Sequence, residues 1–121
     1  MKLFLIFALP VAMFAFVGLG LYGVDNKENK LHSDIQEFLT MYNTMYPKLY
    51  AVSAEADWKA STDVSDEHTG QQIGANNVNA AFQGSTYVIN KCKEYLQHKD
   101  ELDAITRKQL ESILRSAALY P

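Results

Sequence analysis

Apolar side chains recur with helical spacing along a long segment of the chain, and this pattern constrains the fold more than any other feature. From Ile35 to Ala56 they follow the i, i+3, i+4, i+7 spacing of one face of an α-helix. Pro47 lies inside this segment and is expected to remove a backbone hydrogen bond and to kink the helix near residues 43–46. No useful stretch alternates between apolar and polar residues as a strand does. The sequence therefore predicts an all-α fold. The expected apolar face of the first helix consists of Ile35, Phe38, Leu39, Tyr42, Tyr46, Leu49, Ser53 and Ala56.

Local signals divide residues 33–121 into about four helices. Ser33, with a glutamine three residues later, is predicted to cap the first helix through a capping box. A second helix is expected from about Asp66 to Phe82, and its polar composition and two internal glycines make it marginal on its own. Ser85 is predicted to cap the third helix. Thr106, again with a glutamine three residues later, is predicted to cap the fourth. The expected buried faces are Val88, Cys92, Tyr95 and Leu96 in the third helix, and Leu110, Ile113, Leu114, Ala117 and Ala118 in the fourth.

The amino terminus carries an uncharged apolar segment behind a positively charged start. Lys2 precedes the segment from Leu3 to Val24, which as a helix is about 33 Å long and so sufficient to cross a bilayer core. The segment fits a signal peptide cleaved after Gly20 or Gly23, or a retained membrane anchor. We favour cleavage, because Pro10 and the glycines weaken a permanent span. In both cases the remainder is predicted to lie outside the cytoplasm, either exported to the periplasm or secreted, or anchored by contact of this segment with the membrane.

These signals predict three regions along the chain. Residues 1–24 form the signal peptide or anchor, and residues 25–32, with the polar sequence DNKENKLH, form a flexible linker. Residues 33–121 form the helical region. All acidic residues, and all basic residues except Lys2, follow Val24, so this part is net acidic. It contains no Lys/Arg cluster, and nucleic-acid binding is therefore not expected.

Candidate metal ligands and nucleophiles are few and dispersed. Cys92 is alone, which excludes an intramolecular disulfide and a cysteine-based metal site, and a buried, inert thiol is expected. His32, His68 and His98 are not spaced one helical turn apart, as a zinc-binding pair on a helix requires. The acidic residues before His68 are interpreted as a solvated helix start near the positive end of the helix dipole. The sequence therefore predicts no catalytic, cofactor-binding or metal-ligating residue in this chain.

Large aromatic side chains are concentrated in the first predicted helix. Their helical spacing favours packing over a ligand-binding stripe. A helix this rich in large apolar side chains indicates a larger body for it to pack against, because an uncovered apolar surface acts as an interaction or aggregation patch. The aromatic series consists of Phe38, Tyr42, Tyr46, Tyr50 and Trp58.

Residues 38–67 resemble a known family. They read FLTMYNTMYPKLYAVSAEADWKASTDVSDE, with AEADW at 54–58, TDVS at 62–65 and Glu67 closing the segment. This resembles the opening helix of the angiotensin-converting-enzyme family, the zinc peptidyl-dipeptidases. In that family an F-[VL]-x-x-Y start leads to A-E-A-[ND]-W and then to T-[ND]-[IV]-[TS]-x-E. The similarity continues more weakly to Pro121. The residues that fall in this register without a gap include Phe38, Leu39, Tyr42, Tyr50 and Trp58.

The resemblance implies a role without catalysis for this chain. Members of the family are largely helical, with two lobes around a deep cleft that holds one zinc ion, and they remove dipeptides from the C-termini of oligopeptides. Their first helices form a lid over the cleft, to which residues 38–67 would contribute the first helix. The two zinc histidines, the zinc glutamate and the general-base glutamate of the family lie near an H-E-x-x-H motif, which this sequence lacks. The resemblance therefore implies a C-terminal catalytic body beyond Pro121, with zinc and chloride as its ions and oligopeptides as its substrates.

Three interpretations follow from the sequence. The first is the N-terminal lid region of an exported zinc peptidyl-dipeptidase, inactive by itself. The second is a stand-alone exported helical module that binds a peptide or another subunit and unfolds cooperatively. The third is a membrane-tethered structural protein without a ligand, which retention of residues 3–24 would favour. A self-sufficient enzyme is not expected, because no set of acid, base, nucleophile or metal ligands can be assembled from the sequence.

Overall fold

The structure, a computed structural model, describes the backbone of residues 11–120 and the side chains of residues 26–120. Every regular element in this part of the chain is helical, which confirms the prediction of an all-α fold. The elements are α1 (Val11–Thr62), α2 (Asp66–Gln83), α3 (Thr86–Leu96) and α4 (Ala104–Ala117), with a 3-10 turn at Lys99–Glu101 between α3 and α4.

The chain divides into two compact units. The first ends at Glu37, and its described residues form the first part of α1, in which Ile35 is fully buried. The second begins at Phe38 and contains the rest of α1 together with α2, α3 and α4.

Helix α1 runs through the region where the sequence predicts a linker and a helix start. Residues 25–32 are helical, and Ser33 lies inside the helix, so the predicted cap at Ser33 is wrong. Residues 25–32 contain neither glycine nor proline, and their Lys and Glu residues favour helix, so nothing in this segment ends the helix.

The predicted signal or anchor segment, Leu3 to Val24, lies partly outside the described residues. Residues 3–10 are not described, and only the backbone is described for residues 11–24. Among the described residues, no helix combines the length and the apolar character needed to cross a bilayer.

Helix α1 also continues through Pro47. Proline cannot donate a hydrogen bond to the preceding turn, so the carbonyl of Asn43 loses its helical partner. Both Pro47 and Asn43 are exposed, which lets water replace the missing donor. An exposed proline therefore does not end this helix.

The core of the second unit is formed by the predicted faces of α1, α3 and α4, and α3 packs directly against α4. Tyr46 and Leu49 on α1 are half-buried, as are Leu96 on α3 and Leu114 on α4, whereas Ala118 is exposed. The predicted face of each helix is thus largely the buried one. The buried residues are Phe38, Leu39, Tyr42, Ser53 and Ala56 on α1, Val88, Cys92 and Tyr95 on α3, and Thr106, Leu110, Ile113 and Ala117 on α4.

Helix α2 differs from the others because it buries no apolar side chain. It begins and ends close to the predicted bounds and runs antiparallel to the second half of α1. Its only buried residues are Asn79 and Gln83, whose side-chain amides are joined by a 3.0 Å hydrogen bond. Polar contacts therefore join its first part to α1, and near its end Phe82 stacks on Tyr42.

The helix starts of the second unit follow serine and aspartate caps. The Ser65 hydroxyl accepts a hydrogen bond from the His68 N–H at 3.1 Å and caps α2. The Ser85 hydroxyl accepts one from the Val88 N–H at 3.3 Å, which confirms the predicted cap of α3.

The predicted cap of α4 at Thr106 is wrong, because Asp103 occupies the cap position. The Asp103 carboxylate accepts hydrogen bonds from the N–H groups of Ile105 at 3.0 Å and Thr106 at 2.9 Å. The Thr106 hydroxyl donates to the same carboxylate at 2.6 Å. One oxygen of the carboxylate accepts both backbone N–H groups and the other accepts the Thr106 hydroxyl, so Asp103 caps this helix start ahead of the threonine.

Candidate functional site

The histidines do not converge on a common point. His68 Nδ1 lies 2.8 Å from the carbonyl oxygen of Asp63, and His98 Nδ1 lies 3.1 Å from the Glu101 carboxylate. His32 is exposed. Within the part of the chain that the structure describes, no three His, Cys, Asp or Glu side chains are placed to hold one metal ion. These residues therefore do not fit a zinc ion, and no hydrolytic step is assigned to them.

Cys92 lies in the core of the second unit. Its side chain is fully buried, and burial raises the pKa of the thiol to about 12. The thiol is thus protonated at neutral pH, and a thiolate is the reactive form of cysteine. The buried position expected for Cys92 is confirmed.

Four polar side chains connect α1 to the first part of α2, and we name them the polar clasp: Ser53 and Asp57 on α1, and Gln72 and Asn76 on α2. One oxygen of the Asp57 carboxylate accepts hydrogen bonds from the side-chain amides of Gln72 and Asn76, each at 2.9 Å. The Ser53 hydroxyl donates to the side-chain carbonyl of Asn76. The hydrogen bonds from Asn76 and then Gln72 hold the pKa of Asp57 below its usual value. The clasp therefore joins the two helices through an ionised carboxylate.

The aromatic series on α1 passes from the core to the surface. The ring centroids of Phe38 and Tyr42 are 6.4 Å apart, those of Tyr42 and Tyr46 are 5.7 Å apart, and those of Tyr46 and Tyr50 are 6.1 Å apart. Tyr42 also stacks on Phe82 of α2 at 5.4 Å. Burial, and secondarily the neighbouring Tyr46, raises the pKa of Tyr42 to about 12. This end of the series is packed and stays uncharged at neutral pH.

The other end of the aromatic series is not packed. Tyr50 is 57% exposed and Trp58 is 70% exposed. The expected packing is therefore confirmed for Phe38 and Tyr42, whereas the described residues of this chain leave Tyr50 and Trp58 uncovered. A helical repeat places these side chains but does not supply the neighbours that would cover them.

An apolar groove lies between α1 and α2 and has a volume of about 430 Å³. Its walls include Val52 and Val78, both more than half exposed, and Gly74 and Ala75 leave space between them. Lys59 Nζ forms an ion pair at 2.7 Å with the Glu55 carboxylate, which also lines the groove. Its size and apolar lining are within the range of ligand-binding clefts. The lining residues are Leu49, Val52, Glu55, Ala56, Lys59, Gln71, Gly74, Ala75 and Val78.

The sequence predicts neither the clasp nor the groove, although the residues that line the groove on α1 follow a helical spacing. Leu49, Val52, Ala56 and Lys59 are spaced three and four residues apart, which marks a second stripe beside the predicted apolar face. In α2 the small pair Gly74 and Ala75 indicates a place where side chains do not fill the helix surface. The partners across the two helices follow only from the structure.

Comparison with family models, curated proteins and solved structures finds no match to this chain.

Proposed function

We propose that this chain is the N-terminal lid region of a larger exported protein that resembles the zinc peptidyl-dipeptidases, and that it controls access to a cleft without taking part in the reaction. Zinc and chloride would bind in the catalytic body that follows, and oligopeptides would be the substrates of the complete protein. Residues 1–24 would direct export, either as a cleaved signal peptide or as an anchor.

The observation that carries this proposal is the uncovered apolar surface of α1. Tyr50, Val52 and Trp58 are each more than half exposed, and they lie within the segment that carries the resemblance. The large aromatic side chains of Tyr50 and Trp58 lie about 80° apart around the helix axis, and exposed aromatic rings of this size are typical of a surface that another part of a protein covers. Their burial against a catalytic body would bring the apolar area of α1 out of water.

A second candidate function is a stand-alone exported interaction module. The α1–α2 groove favours it, because an apolar cleft of about 430 Å³ suits an apolar side chain or a short amphipathic segment of a partner. In this interpretation the same exposed residues of α1 form the edge of a binding surface. The two candidates differ in whether the covering residues belong to the same polypeptide.

The size of the native product distinguishes these candidates. Cells that express this sequence are fractionated and probed with an antibody raised against residues 33–121, with the purified chain as competitor to confirm specificity. The lid proposal predicts an exported band far above 13.6 kDa. Material captured by the antibody is then expected to release dipeptides from oligopeptides in a chelator-sensitive manner, whereas the purified 121-residue chain releases none.

Two outcomes contradict the lid proposal. A band only at or just below 13.6 kDa means that the chain acts alone, and it favours the interaction module. Chelator-sensitive dipeptide release by the purified chain itself means that the chain is not merely a lid.

A further inference from the structure

We infer that the first part of α2, residues 66–76, detaches from α1 as a local unit while α3 and α4 stay folded, with the polar clasp as its latch. The inference goes beyond the proposed function and does not depend on it, because it concerns only contacts within the second unit. It assigns to α2 the role of a movable flap beside the α1–α2 groove.

The first part of α2 lacks the interaction that usually fixes a helix to its neighbours. Burial of large apolar side chains is the main stabilising contribution to helix packing. No residue of α2 before Asn79 is buried. The buried residues of α1 in the clasp region are the small Ser53 and Ala56. The contact between this part of α2 and α1 therefore removes little apolar surface from water.

The same part of α2 is also a weak helix on its own. Gly70 and Gly74 lie inside it, and glycine is the poorest helix former except proline. A Cβ atom added at either position meets no atom within 4 Å. Packing does not require glycine at these positions, so the two residues lower helix stability without a compensating close contact.

The end of α2 is held much more firmly. Phe82 stacks on Tyr42 with ring centroids 5.4 Å apart, and the buried amides of Asn79 and Gln83 are hydrogen-bonded to each other. The boundary between the loose and the anchored parts of α2 therefore falls between Asn76 and Asn79.

The clasp is the main connection that detachment must break. The Asp57 carboxylate holds Gln72 and Asn76, which are one helical turn apart, and Ser53 holds Asn76 a second time. Hydrogen bonds to an ionised group are stronger than neutral ones, so these few contacts account for most of the attachment. Release of the clasp moves Gly74 and Ala75 away from α1 and widens the groove that they line.

Native-state amide hydrogen exchange of the full chain tests this inference, because it measures local opening separately from global unfolding. Relative to their intrinsic rates, the amides of residues 70–76 are expected to exchange at least about tenfold faster than those of α3 and α4. Substitution Asp57→Ala is expected to accelerate exchange at residues 70–76 by about another tenfold, while α3 and α4 change by less than about twofold. Gly74→Ala is expected to slow exchange at the same amides by about fivefold, because it strengthens the helix.

Glu55→Ala is the matched control. Glu55 is an acid two residues before Asp57 on the same helix, and it forms its ion pair with Lys59, which also belongs to α1. Exchange in α2 is expected to be unchanged in this variant. Gln72→Ala removes only one hydrogen bond of the clasp. If circular dichroism shows that the Asp57→Ala variant does not fold, Gln72→Ala takes its place in the test.

Three results overturn the inference. Residues 70–76 that exchange as slowly as α3 and α4 show that α2 opens only with the whole unit. If the clasp variants accelerate amide exchange equally in all helices, α2 likewise opens only together with the whole second unit. If Glu55→Ala accelerates exchange at residues 70–76 as much as Asp57→Ala does, the clasp is not what holds the first part of α2 against α1.

Discussion

Asp57 is the acidic residue most directly tied to the contact between α1 and α2. Hydrogen bonds from Asn76 and Gln72 lower its pKa in the folded state. A carboxyl group with a depressed folded pKa contributes stability that is complete above the unfolded pKa and is lost as the pH falls through the folded pKa. We therefore expect the thermal stability of the chain to fall below about pH 4, near the unfolded pKa of an aspartate. Thermal unfolding followed by circular dichroism between about pH 2 and pH 7 measures this loss.

The acid-induced loss assigned to Asp57 is separable from that of other acids. Hydrogen bonds from Thr106 lower the pKa of Asp103, and the hydrogen bond from Lys59 lowers that of Glu55, so both also contribute to the loss of stability in acid. We expect Asp57→Ala to reduce the pH dependence of α2 exchange, and Asp103→Ala to leave it unchanged. A pH dependence of α2 that persists in Asp57→Ala contradicts the assignment.

Gly84 and Gly74 form a matched pair of glycines with opposite surroundings. A Cβ at Gly84 would lie well inside van der Waals distance of the Tyr120 carbonyl oxygen and 3.3 Å from that of Ala80, whereas a Cβ at Gly74 meets no atom within 4 Å. We expect Gly84→Ala to lower the free energy of unfolding by about 1–3 kcal/mol, because backbone atoms must move apart. Gly74→Ala is expected to raise it by about 0.5–1 kcal/mol through helix propensity. Urea unfolding of the two variants checks both signs, and a stabilising Gly84→Ala contradicts the close approach.

At the scale of helices, the start of α4 depends on Asp103 and not on Thr106. The Asp103 carboxylate accepts hydrogen bonds from the backbone N–H groups of Ile105 and Thr106 and from the Thr106 hydroxyl. We expect Asp103→Ala to lower the melting temperature by several degrees, because the first turn of α4 loses its acceptor. Asp103→Ser is expected to retain most of the stability, since serine also caps helices. Gln109→Ala, which removes the other half of the predicted capping box, is expected to have little effect. Melting curves by circular dichroism rank the three variants, and a larger loss from Gln109→Ala contradicts this cap assignment.

The sequence predicts the middle of each helix better than its start. Spacing alone identifies the buried faces of α1, α3 and α4, because a large apolar side chain repeated every three or four residues has no stable alternative to facing a core. Capping residues are harder to predict. Several Ser, Thr and Asp residues lie near each helix start, but only one of them accepts hydrogen bonds from the first backbone N–H groups. Ser85 is the correct choice for α3, whereas Ser33 and Thr106 are not caps in the structure.

The sequence cannot predict which side chains meet across two helices. The pattern marks α2 as polar and weak, but the convergence of Gln72 and Asn76 on Asp57 depends on the relative position of α1 and α2. The groove follows from the same arrangement, because the position of α2 along α1 brings Val52 and Val78 to one space.

At the scale of the whole molecule, spacing predicts which side of a helix is apolar but not whether a neighbour covers it. The aromatic series on α1 has one repeat along its length, yet Tyr42 is buried and Trp58 is exposed. The difference arises because a repeat of four residues drifts by about 40° per step around a helix, so Trp58 lies about 160° around the axis from Tyr42, away from the face that Phe82 covers. An uncovered aromatic end is therefore the feature of this chain that points most directly to a missing partner.

Trp58 reports on that partner, because it is the only tryptophan of the chain and is 70% exposed. We expect the fluorescence of the purified chain to lie close in wavelength to that of the urea-denatured chain and to be readily quenched by acrylamide, since water surrounds most of the indole. In the larger protein of the lid proposal, the same indole is expected to emit at shorter wavelength and to resist quenching, because burial removes it from water.

The comparison is made at several protein concentrations, with Trp58→Phe as the blank for tyrosine emission. A short-wavelength spectrum that appears only as concentration rises means that copies of the chain cover one another. A short-wavelength, unquenched spectrum at all concentrations contradicts an uncovered α1 surface and removes the main structural support for the lid proposal. An exposed indole at every concentration shows that copies of this chain do not cover Trp58, which is the result that the lid proposal predicts for the isolated chain.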